Sequence, residues 1–403
     1  MKYLVLVPDG MADEKVEELG NLSPMEKADK PYMDMLVKKS FVGVASNVPQ
    51  GMIPESDTAN MAILSFDPKV YSKGRSPLEA LSMGLDMADD DTAIRCNIIT
   101  VSEEQEAYED KILLDNSADE ISTEEADELV KAINAKLSND IRHLYTGMSY
   151  KHCFMWKTNK DRYNFTRPHD IINKRIGEYL PKESDGGADF LAVMKESYDI
   201  LNNHPVNVSR RERGLKPGNS LWLWGPGKKP QLPSFKDKWG LNASVISATD
   251  LIKGIAICAG MNSIDVEGVT ANVHTNYAGK ANAAIEAFKN GSDYVYIHVE
   301  APDECGHRAE IDNKVLSIEL IDKKILKPVY EYLASCGEDF KIMVLPDHPT
   351  PLRLRTHTMS PVPFFIYSSN NEQDGVQSFD EFSAEKTGIY IPDGYKLMDI
   401  LTK

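Results

Sequence analysis

The sequence has few cysteines, and their placement argues against a disulfide framework. Only five occur among 403 residues, an odd number, and none belongs to a CxxC pair. Small secreted domains that depend on disulfides carry denser and paired cysteines. We therefore expect a protein of a reducing compartment, and the predicted location is the cytoplasm.

Long apolar runs are also missing. The longest apolar segments have the length of β-strands, so the sequence predicts no membrane span and no membrane partner. The first apolar run, residues 3–7, stops at Pro8-Asp9 and is shorter than the apolar region of a signal peptide.

An excess of basic residues is absent as well. The formal net charge is −17, whereas a general nucleic-acid-binding protein usually has a basic face. No GxxxxGK[ST] phosphate-binding loop occurs, so a nucleotide would need another kind of site. These absences leave a phosphorylated small molecule open as a ligand, because local lysines, arginines or metal ions decide its binding.

Strand and helix patterns alternate over much of the chain. Helical patterns separate most of the short apolar runs, which is typical of an α/β protein with a mostly parallel sheet and helices on both faces. The predicted strands are residues 3–7, 42–48, 221–224, 243–247, 294–299, 342–346 and 364–367.

The composition changes near residue 91. The following part of the chain is richer in charge and loops, with weaker strands at 93–101 and 152–156 and a clear helix at 123–138. We expect residues 95–218 to form a smaller inserted α+β domain. Residues 1–94 and 219–403 would then form the larger α/β domain.

Acids and histidines follow three of the predicted strands. In an open parallel sheet the carboxyl ends of the strands share one edge, where ligands gather. Singly, each motif is equally typical of a turn or a surface loop. Together they predict two neighbouring divalent-metal sites, because their oxygen and nitrogen ligands are too many for one tetrahedral zinc. The candidate ligands are Asp9, Asp303, His307, Asp347, His348 and His357.

Ser56 is the candidate nucleophile. It opens the apolar-periodic segment "SDTANMAILSF" after a loop broken by Gly51 and Pro54. One interpretation is an ordinary N-cap. The other is a serine at a helix N-terminus, where free N–H groups favour a phosphate and a metal could lower the pKa of the hydroxyl.

The blocks "PDG", "PESDTAN" and "APDECGH…PDHPTPLRLRTHT" resemble the alkaline phosphatase superfamily. Within it the chain is similar to the archaeal-type cofactor-independent phosphoglycerate mutases over nearly its whole length. This resemblance implies a two-metal phosphatase-like domain and an inserted domain that binds the substrate and closes over it. It implies two divalent ions, Mn, Zn or Co with Mg possible, and no organic cofactor.

The resemblance also implies individual roles. Ser56 would carry the phosphoryl group transiently, and Lys253 would lie near the phosphate. One ion would be held by Asp9, Ser56, Asp347 and His348, and the other by Asp303, His307 and His357.

The implied function is the interconversion of 3-phosphoglycerate and 2-phosphoglycerate, a step of glycolysis and gluconeogenesis. The substrate is a small phosphorylated carboxylate, and Arg95, Arg210 and Arg211 are candidates to bind its carboxylate, although each could equally be a surface arginine. The segment 108–126 is poorer in arginine than the resemblance leads us to expect, and "CNIIT" also departs from the usual pattern.

Two other functions stay open. A homoserine kinase-like phosphotransferase would use the same metal and serine chemistry. A non-catalytic metal protein is the third possibility, although a structural metal site needs no serine at a helix start. The oligomeric state is left open.

Overall fold

The structure is a computed structural model that describes all residues, 1–403. Its thirteen strands are, in chain order, β1 (Lys2–Pro8), β2 (Ser40–Ala45), β3 (Asp91–Val101), β4 (Leu113–Asp115), β5 (Arg142–Tyr145), β6 (Lys151–Lys157), β7 (Ser220–Lys228), β8 (Ala243–Ile246), β9 (Asn262–Ile264), β10 (Tyr294–Val299), β11 (Phe340–Val344), β12 (Val362–Ser368) and β13 (Tyr390–Ile391).

The α-helices are α1 (Pro24–Lys27), α2 (Pro31–Val37), α3 (Ser56–Ile63), α4 (Pro68–Tyr71), α5 (Ser76–Ser82), α6 (Thr123–Leu137), α7 (Ala188–Leu201), α8 (Pro205–Glu212), α9 (Phe235–Trp239), α10 (Asp250–Cys258), α11 (Tyr277–Lys289), α12 (Ala301–Arg308), α13 (Ile311–Ile321), α14 (Lys327–Ser335), α15 (Glu381–Glu385) and α16 (Leu397–Leu401). A π-helical segment, Asp322–Leu326, joins α13 to α14. No helix combines the length and the apolar character that crossing a membrane requires.

The chain divides into two compact units. The first consists of Met1–Ser72 and Gln231–Lys403, and the second of Lys73–Pro230. The second unit is wider than the expected 95–218. Its central strand β3 begins at Asp91, and β7, which pairs with β3, continues to Lys228. The apolar run at 221–224 therefore belongs to the smaller sheet, not to the large one as the sequence predicted.

The first unit contains an eight-stranded sheet in the order β13-β2-β12-β11-β1-β10-β8-β9. The five strands from β11 to β9 are parallel, and β12 is antiparallel to both of its neighbours. Mixed α/β architecture with a mostly parallel sheet is what the alternating patterns predicted, so the expected fold class is confirmed.

Helices cover both faces of this sheet. Side chains alternate between the two faces of a strand. Leu4, Leu6 and Val295 belong to one apolar cluster with residues of α11, α13 and α14. On β10 the alternate residue Tyr294 packs its ring 4.8 Å from that of Phe235 in α9. Burial on both faces explains why the central strands read as continuous apolar runs.

The second unit is built on an antiparallel sheet in the order β4-β3-β6-β5, with β7 also paired to β3. Helices α6 and α7 contribute Leu129, Ile133 and Phe190 to its separate apolar core. Helix α6 begins after Ser122, whose hydroxyl accepts a hydrogen bond from the Glu125 amide at 3.2 Å. This is the helix start that the sequence predicted.

Candidate metal centre

The metal-ligand candidates of the first unit come together because three parallel strands end side by side. Leu6 of β1 pairs with Ile297 of β10 and with Val344 of β11, so the three carboxyl ends lie in register. Asp9 follows β1 directly. Gly10 has φ +60°, and a Cβ there would lie 2.7 Å from Asp303 Oδ1, so the close approach of these segments requires glycine.

One cluster of ligand groups is wholly buried and consists of Asp9, His298 and Asp347. His298 Nε2 lies 3.2 Å from Asp9 Oδ2 and 3.9 Å from Asp347 Oδ2. Asp9 Oδ1 and His298 Nε2 are buried without a hydrogen bond of good geometry. Buried polar atoms left in this state are costly, and a divalent cation accepting their lone pairs fits this donor set.

A second cluster contains Asp303, His307 and His357. His307 Nε2 is 3.2 Å from Asp303 Oδ2, and His357 Nε2 is 3.3 Å from Asp303 Oδ1. Each of these histidines places Nδ1 against a backbone carbonyl, that of Arg355 at 3.0 Å or of Pro54 at 2.6 Å. An Nδ1–H donating to a carbonyl leaves Nε2 free as a metal ligand, which is the usual way a ligating histidine is oriented.

His348 lies between the two clusters. Its Nε2 is 3.6 Å from Asp9 Oδ1 and 3.5 Å from Asp347 Oδ2. It can also share an ion with Asp303 and His357, since the three ligand atoms lie within 4.8 Å of one another. The geometry therefore permits His348 in either ligand set, whereas the family resemblance implies the set with Asp9.

Ser56 is the first residue of α3 and faces this centre. Its Oγ lies 3.2 Å from His348 Nε2. The N-cap of α3 is Glu55, and no side chain caps the helix. Ser56 therefore does not act as the ordinary N-cap, which was the alternative interpretation of the sequence.

Burial and neighbouring charges shift the pKa values of the carboxylates in this centre. Burial, followed by the neighbouring carboxylates of Asp347 and Asp303, raises the pKa of Asp9 well above its usual range. Burial also acts to raise the pKa of Asp347, but the charges and hydrogen bonds of His348 and His298 outweigh it and lower that pKa. So much buried negative charge is the electrostatic setting in which a divalent cation is favourable.

The pKa values of the second cluster follow from ion pairing. The hydrogen bond to Asp303 raises the pKa of His307 to about 9. Burial opposes ionisation of Asp303, yet the hydrogen bonds from His307 and His357 outweigh it and lower the Asp303 pKa well below its usual range.

His298 was not among the ligands predicted from the sequence. The ring nitrogen of His298 that faces away from Asp9, Nδ1, lies 3.2 Å from Oε1 of Glu300. Glu300 in turn forms a fully buried ion pair with Lys280 of α11 at 2.8 Å. His298 lies one residue before the end of β10, a position that could have marked it. Lys280 lies in an alanine-rich helix and carries no such signal.

Lys253 forms its ion pair with a carboxylate that belongs to neither cluster. It belongs to α10, which packs against α3, and its ammonium donates to Asp265 Oδ1 at 2.6 Å. A role beside the phosphate stays a prediction from the family resemblance.

Two of the predicted substrate arginines lie on α8 in the second unit. Arg210 is buried and donates to the carbonyls of Lys216 at 2.9 Å and Ala118 at 2.5 Å, and it also pairs with Glu125. These contacts use each of its three guanidinium nitrogens once, which leaves two N–H groups, and substrate binding by Arg210 stays a prediction. Arg211 is partly exposed and bonds the side chains of Glu103 and Asn202.

Arg95 projects from β3. Its Nε donates to Glu79 Oε2 at 2.7 Å, and its guanidinium lies 4.5 Å from the ring centre of Trp224. The side chain remains 16% exposed. Substrate binding by Arg95 and Arg211 stays a prediction.

Comparison with known proteins places the chain among full-length relatives. A family model described as "2,3-bisphosphoglycerate-independent phosphoglycerate mutase" matches residues 38–207. A protein of that name from Methanosarcina barkeri is 43% identical, with 100% of both chains covered. A probable 2,3-bisphosphoglycerate-independent phosphoglycerate mutase from Geobacter sulfurreducens is 42% identical over 100% of this chain and 99% of its own.

Two solved structures are also similar to this chain over nearly its whole length. A cofactor-independent phosphoglycerate mutase from Thermoplasma acidophilum matches with a TM-score of 0.70 at 26% identity, covering 100% of this chain and 99% of that one. The PH0037 protein from Pyrococcus horikoshii matches with a TM-score of 0.81 at 28% identity, covering 99% of this chain and 96% of that one.

Proposed function

Because the chain belongs to the 2,3-bisphosphoglycerate-independent phosphoglycerate mutase family, we propose that it interconverts 3-phosphoglycerate and 2-phosphoglycerate, a step of glycolysis and gluconeogenesis. The observation that carries the proposal is the position of Ser56. Its hydroxyl stands at the open start of α3, 3.2 Å from His348, beside two groups of carboxylates and histidines. A phosphoryl-transfer enzyme with a covalent intermediate needs a nucleophile in such a place.

The residues present fit two divalent ions. One would be held by Asp9, Asp347, His348 and Ser56, with His298 close enough to orient Asp9 or to join the ligands. The other would be held by Asp303, His307 and His357. When bound, two such ions supply positive charge that lowers the pKa of the Ser56 hydroxyl and offsets the charge of the phosphoryl group. Mn, Zn or Co suits the mixed carboxylate and imidazole donors, and Mg is possible.

The proposed reaction consists of two in-line transfers. Ser56 Oγ attacks the phosphorus of 3-phosphoglycerate, and the bond from phosphorus to the C3 oxygen breaks, leaving phosphoserine and glycerate. The C2 oxygen of glycerate then attacks the same phosphorus, and the bond to Oγ breaks. In the net balance the Ser56 proton goes to the C3 oxygen and the C2 hydroxyl proton returns to Ser56.

Residues of this chain would assist both transfers. Backbone N–H groups in the first turn of α3 would donate hydrogen bonds to the phosphoryl oxygens, as at other helix N-termini. Lys253 on α10 is proposed to bind the phosphate, and Arg95 or Arg211 to bind the carboxylate of glycerate while it turns over. A glycerate that escaped between the transfers would leave hydrolysis as the outcome, so substrate enclosure is expected.

The deciding experiment is a pair of assays on the metal-loaded protein. Interconversion of the two phosphoglycerates is measured by coupling 2-phosphoglycerate to enolase, and homoserine with ATP is measured by ADP release. Mutase turnover with no ADP release is expected. ADP release that depends on homoserine, without mutase turnover, would instead establish the homoserine kinase-like alternative. Inactivity in both assays of a fully metal-loaded protein would favour a non-catalytic metal protein.

A further inference from the structure

A buried asparagine joins the nucleophile to a carboxylate of the metal centre. Asn60 lies one helical turn after Ser56 on α3 and has no exposed surface. Its Nδ2 donates to the Ser56 carbonyl and to Asp347 Oδ2, both at 2.8 Å. We propose that Asn60 is a positioning residue that fixes Ser56 relative to the ion bound by Asp347. This inference rests on the proposed function of Ser56.

The hydrogen bonds define which way the Asn60 amide points. The Ser56 carbonyl and the Asp347 carboxylate can only accept, so both contacts require the NH2 group. The amide oxygen Oδ1 then faces the hydroxyl of Tyr296 on β10, which donates to it. In this orientation both N–H groups and the oxygen of the amide are hydrogen-bonded. Rotating the amide by half a turn would break these hydrogen bonds.

Asn60 also determines which part of Asp347 remains available. Asp347 Oδ1 accepts from the amides of Gly10 at 3.1 Å and His348 at 2.9 Å. With Asn60 on Oδ2, three of the roughly four acceptor positions of the carboxylate are taken. The remaining position on Oδ2 lies on the side of Asp9 and His298. The hydrogen-bond partners of Asp347 therefore orient the lone pair that would bind the ion. Residues that contact metal ligands commonly orient them in this way.

Packing alone does not explain an asparagine at this position. The residues on either side of Asn60 in the sequence, Ala59 and Met61, are buried and apolar. An amide in such surroundings is unfavourable unless all its groups are bonded, and a leucine would fill a similar volume. We therefore attribute the asparagine at this position to its hydrogen bond with Asp347 of the metal centre.

A substitution at Tyr296 removes one contact of Asn60 and leaves the asparagine in place. The same strand, β10, contains a matched control residue. Tyr294 lies two residues earlier on the same face of the strand, is equally buried, and its hydroxyl has no hydrogen-bond partner. Tyr296→Phe and Tyr294→Phe therefore each remove one buried hydroxyl from the same strand face. Only the first removes a contact to Asn60.

The experiment compares Asn60→Ala, Tyr296→Phe and Tyr294→Phe with the wild-type full chain. The measurements are MnCl2 titration calorimetry and the steady-state mutase assay. We expect Asn60→Ala to weaken one of two Mn sites and to lower kcat, each by about 10–100-fold, while KM stays within about threefold. Tyr296→Phe should show the same pattern at about the lower limit, and Tyr294→Phe should match the wild type.

Other outcomes would overturn the inference. A folded Asn60→Ala protein with wild-type kcat and two wild-type Mn affinities would show that Asn60 only packs. Equal losses in the two phenylalanine variants would point to a general packing effect. If Asn60→Ala does not fold, Tyr296→Phe against Tyr294→Phe decides. A wild type that binds Mn but lacks mutase turnover would refute the proposed function, while the Mn affinities would still test the Asn60 contact.

Discussion

The two clusters of the candidate centre differ in how far solvent reaches them. In the first, the side chains of Asp9, His298 and Asp347 are at most 5% exposed. In the second, Asp303, His357 and His307 are 15%, 19% and 35% exposed. The buried cluster is oriented by backbone amides, by Asn60 and by the Glu300–Lys280 pair, whereas the exposed cluster is oriented by two backbone carbonyls.

Because of this difference in exposure, we expect substitutions in the two clusters to have different consequences. A buried group of ligands that neighbouring residues hold by hydrogen bonds is preorganised, and disturbing it also disturbs the folded state. A more exposed group can lose its ion without leaving buried charges unpaired. We therefore expect changes at the exposed cluster to affect metal content alone, and changes behind the buried cluster to affect stability as well.

The largest effect is expected where both clusters meet, at Ser56. Ser56→Ala should lower mutase turnover by about three powers of ten or more, because no other hydroxyl takes the place of a covalent nucleophile. Both Mn sites should still be occupied, since Asp and His ligands remain in each. Steady-state turnover and metal content of the same preparation check this.

Ser234→Ala is the matched control for Ser56→Ala. Ser234 is a true N-cap of α9 in the same unit and accepts from the Asp237 amide at 3.3 Å. Losing such a cap costs about 1 kcal/mol of stability and should leave turnover unchanged. A folded, metal-loaded Ser56→Ala protein with near wild-type turnover would contradict the covalent mechanism. A phosphorylated peptide containing Ser56, trapped from the wild type, would support it.

The next effect isolates the exposed cluster. Asp303→Ala combined with His307→Ala should remove one of two Mn ions and leave the other at least partly bound, because the buried ligands are untouched. Metal analysis after gel filtration measures the ratio of Mn to protein. Two ions per chain in this double variant would refute the ligand assignment. The unfolding midpoint of the metal-free variant should stay close to that of the metal-free wild type.

Much of the centre could be predicted because sheet topology is simple to anticipate. Acids after parallel strands must share an edge, and the structure brings Asp9, Asp303 and Asp347 together there. The contribution of Asn60 could not be predicted. A serine-to-asparagine spacing of four is common in helices, and only the folded position of α3 beside Asp347 shows that the amide reaches a carboxylate.

Partners distant in sequence explain the other differences. The apolar run at 221–224 fits either sheet, since periodicity does not encode the neighbouring strand. The ion pair of Arg210 with Glu125 of α6 could not be predicted, because the two residues lie 85 positions apart in the sequence. Lys280 looks like an exposed helix residue, and its burial follows only from the packing of α11 on β10.

A smaller effect should distinguish a buried ion pair from an exposed one on the same helix. Lys280→Met leaves the charge of Glu300 buried without its cation, and such a loss costs about 3–5 kcal/mol. Lys289 of α11 pairs with Glu286 at 2.8 Å on the surface, and Lys289→Met should change stability little. Urea unfolding of both variants at a fixed Mn concentration measures the contrast. Equal midpoints would mean that the buried pair does not support the first cluster.

The smallest effect concerns Glu381, a carboxylate outside both clusters that has no histidine beside it. Burial raises its pKa to about 7, whereas the histidines near Asp347 reverse the effect of burial there. Because the folded state binds this proton more tightly, Glu381 favours folding at low pH. That contribution, at most roughly 3 kcal/mol, is lost as pH rises from the unfolded value of 4.5 to about 7.

Glu381→Gln keeps the shape of the side chain and removes its titration. The glutamine oxygen can still accept from the Asp13 amide, now 2.8 Å from Oε1, and its NH2 group can donate to the Ser23 hydroxyl, now 2.7 Å from Oε2. We expect the unfolding midpoint of the variant, relative to the wild type, to rise between pH 5 and pH 8. Thermal unfolding of the two metal-free proteins across that range measures it. A constant difference would show that Glu381 titrates alike in the folded and unfolded chains, and that burial without a histidine does not shift a carboxylate here.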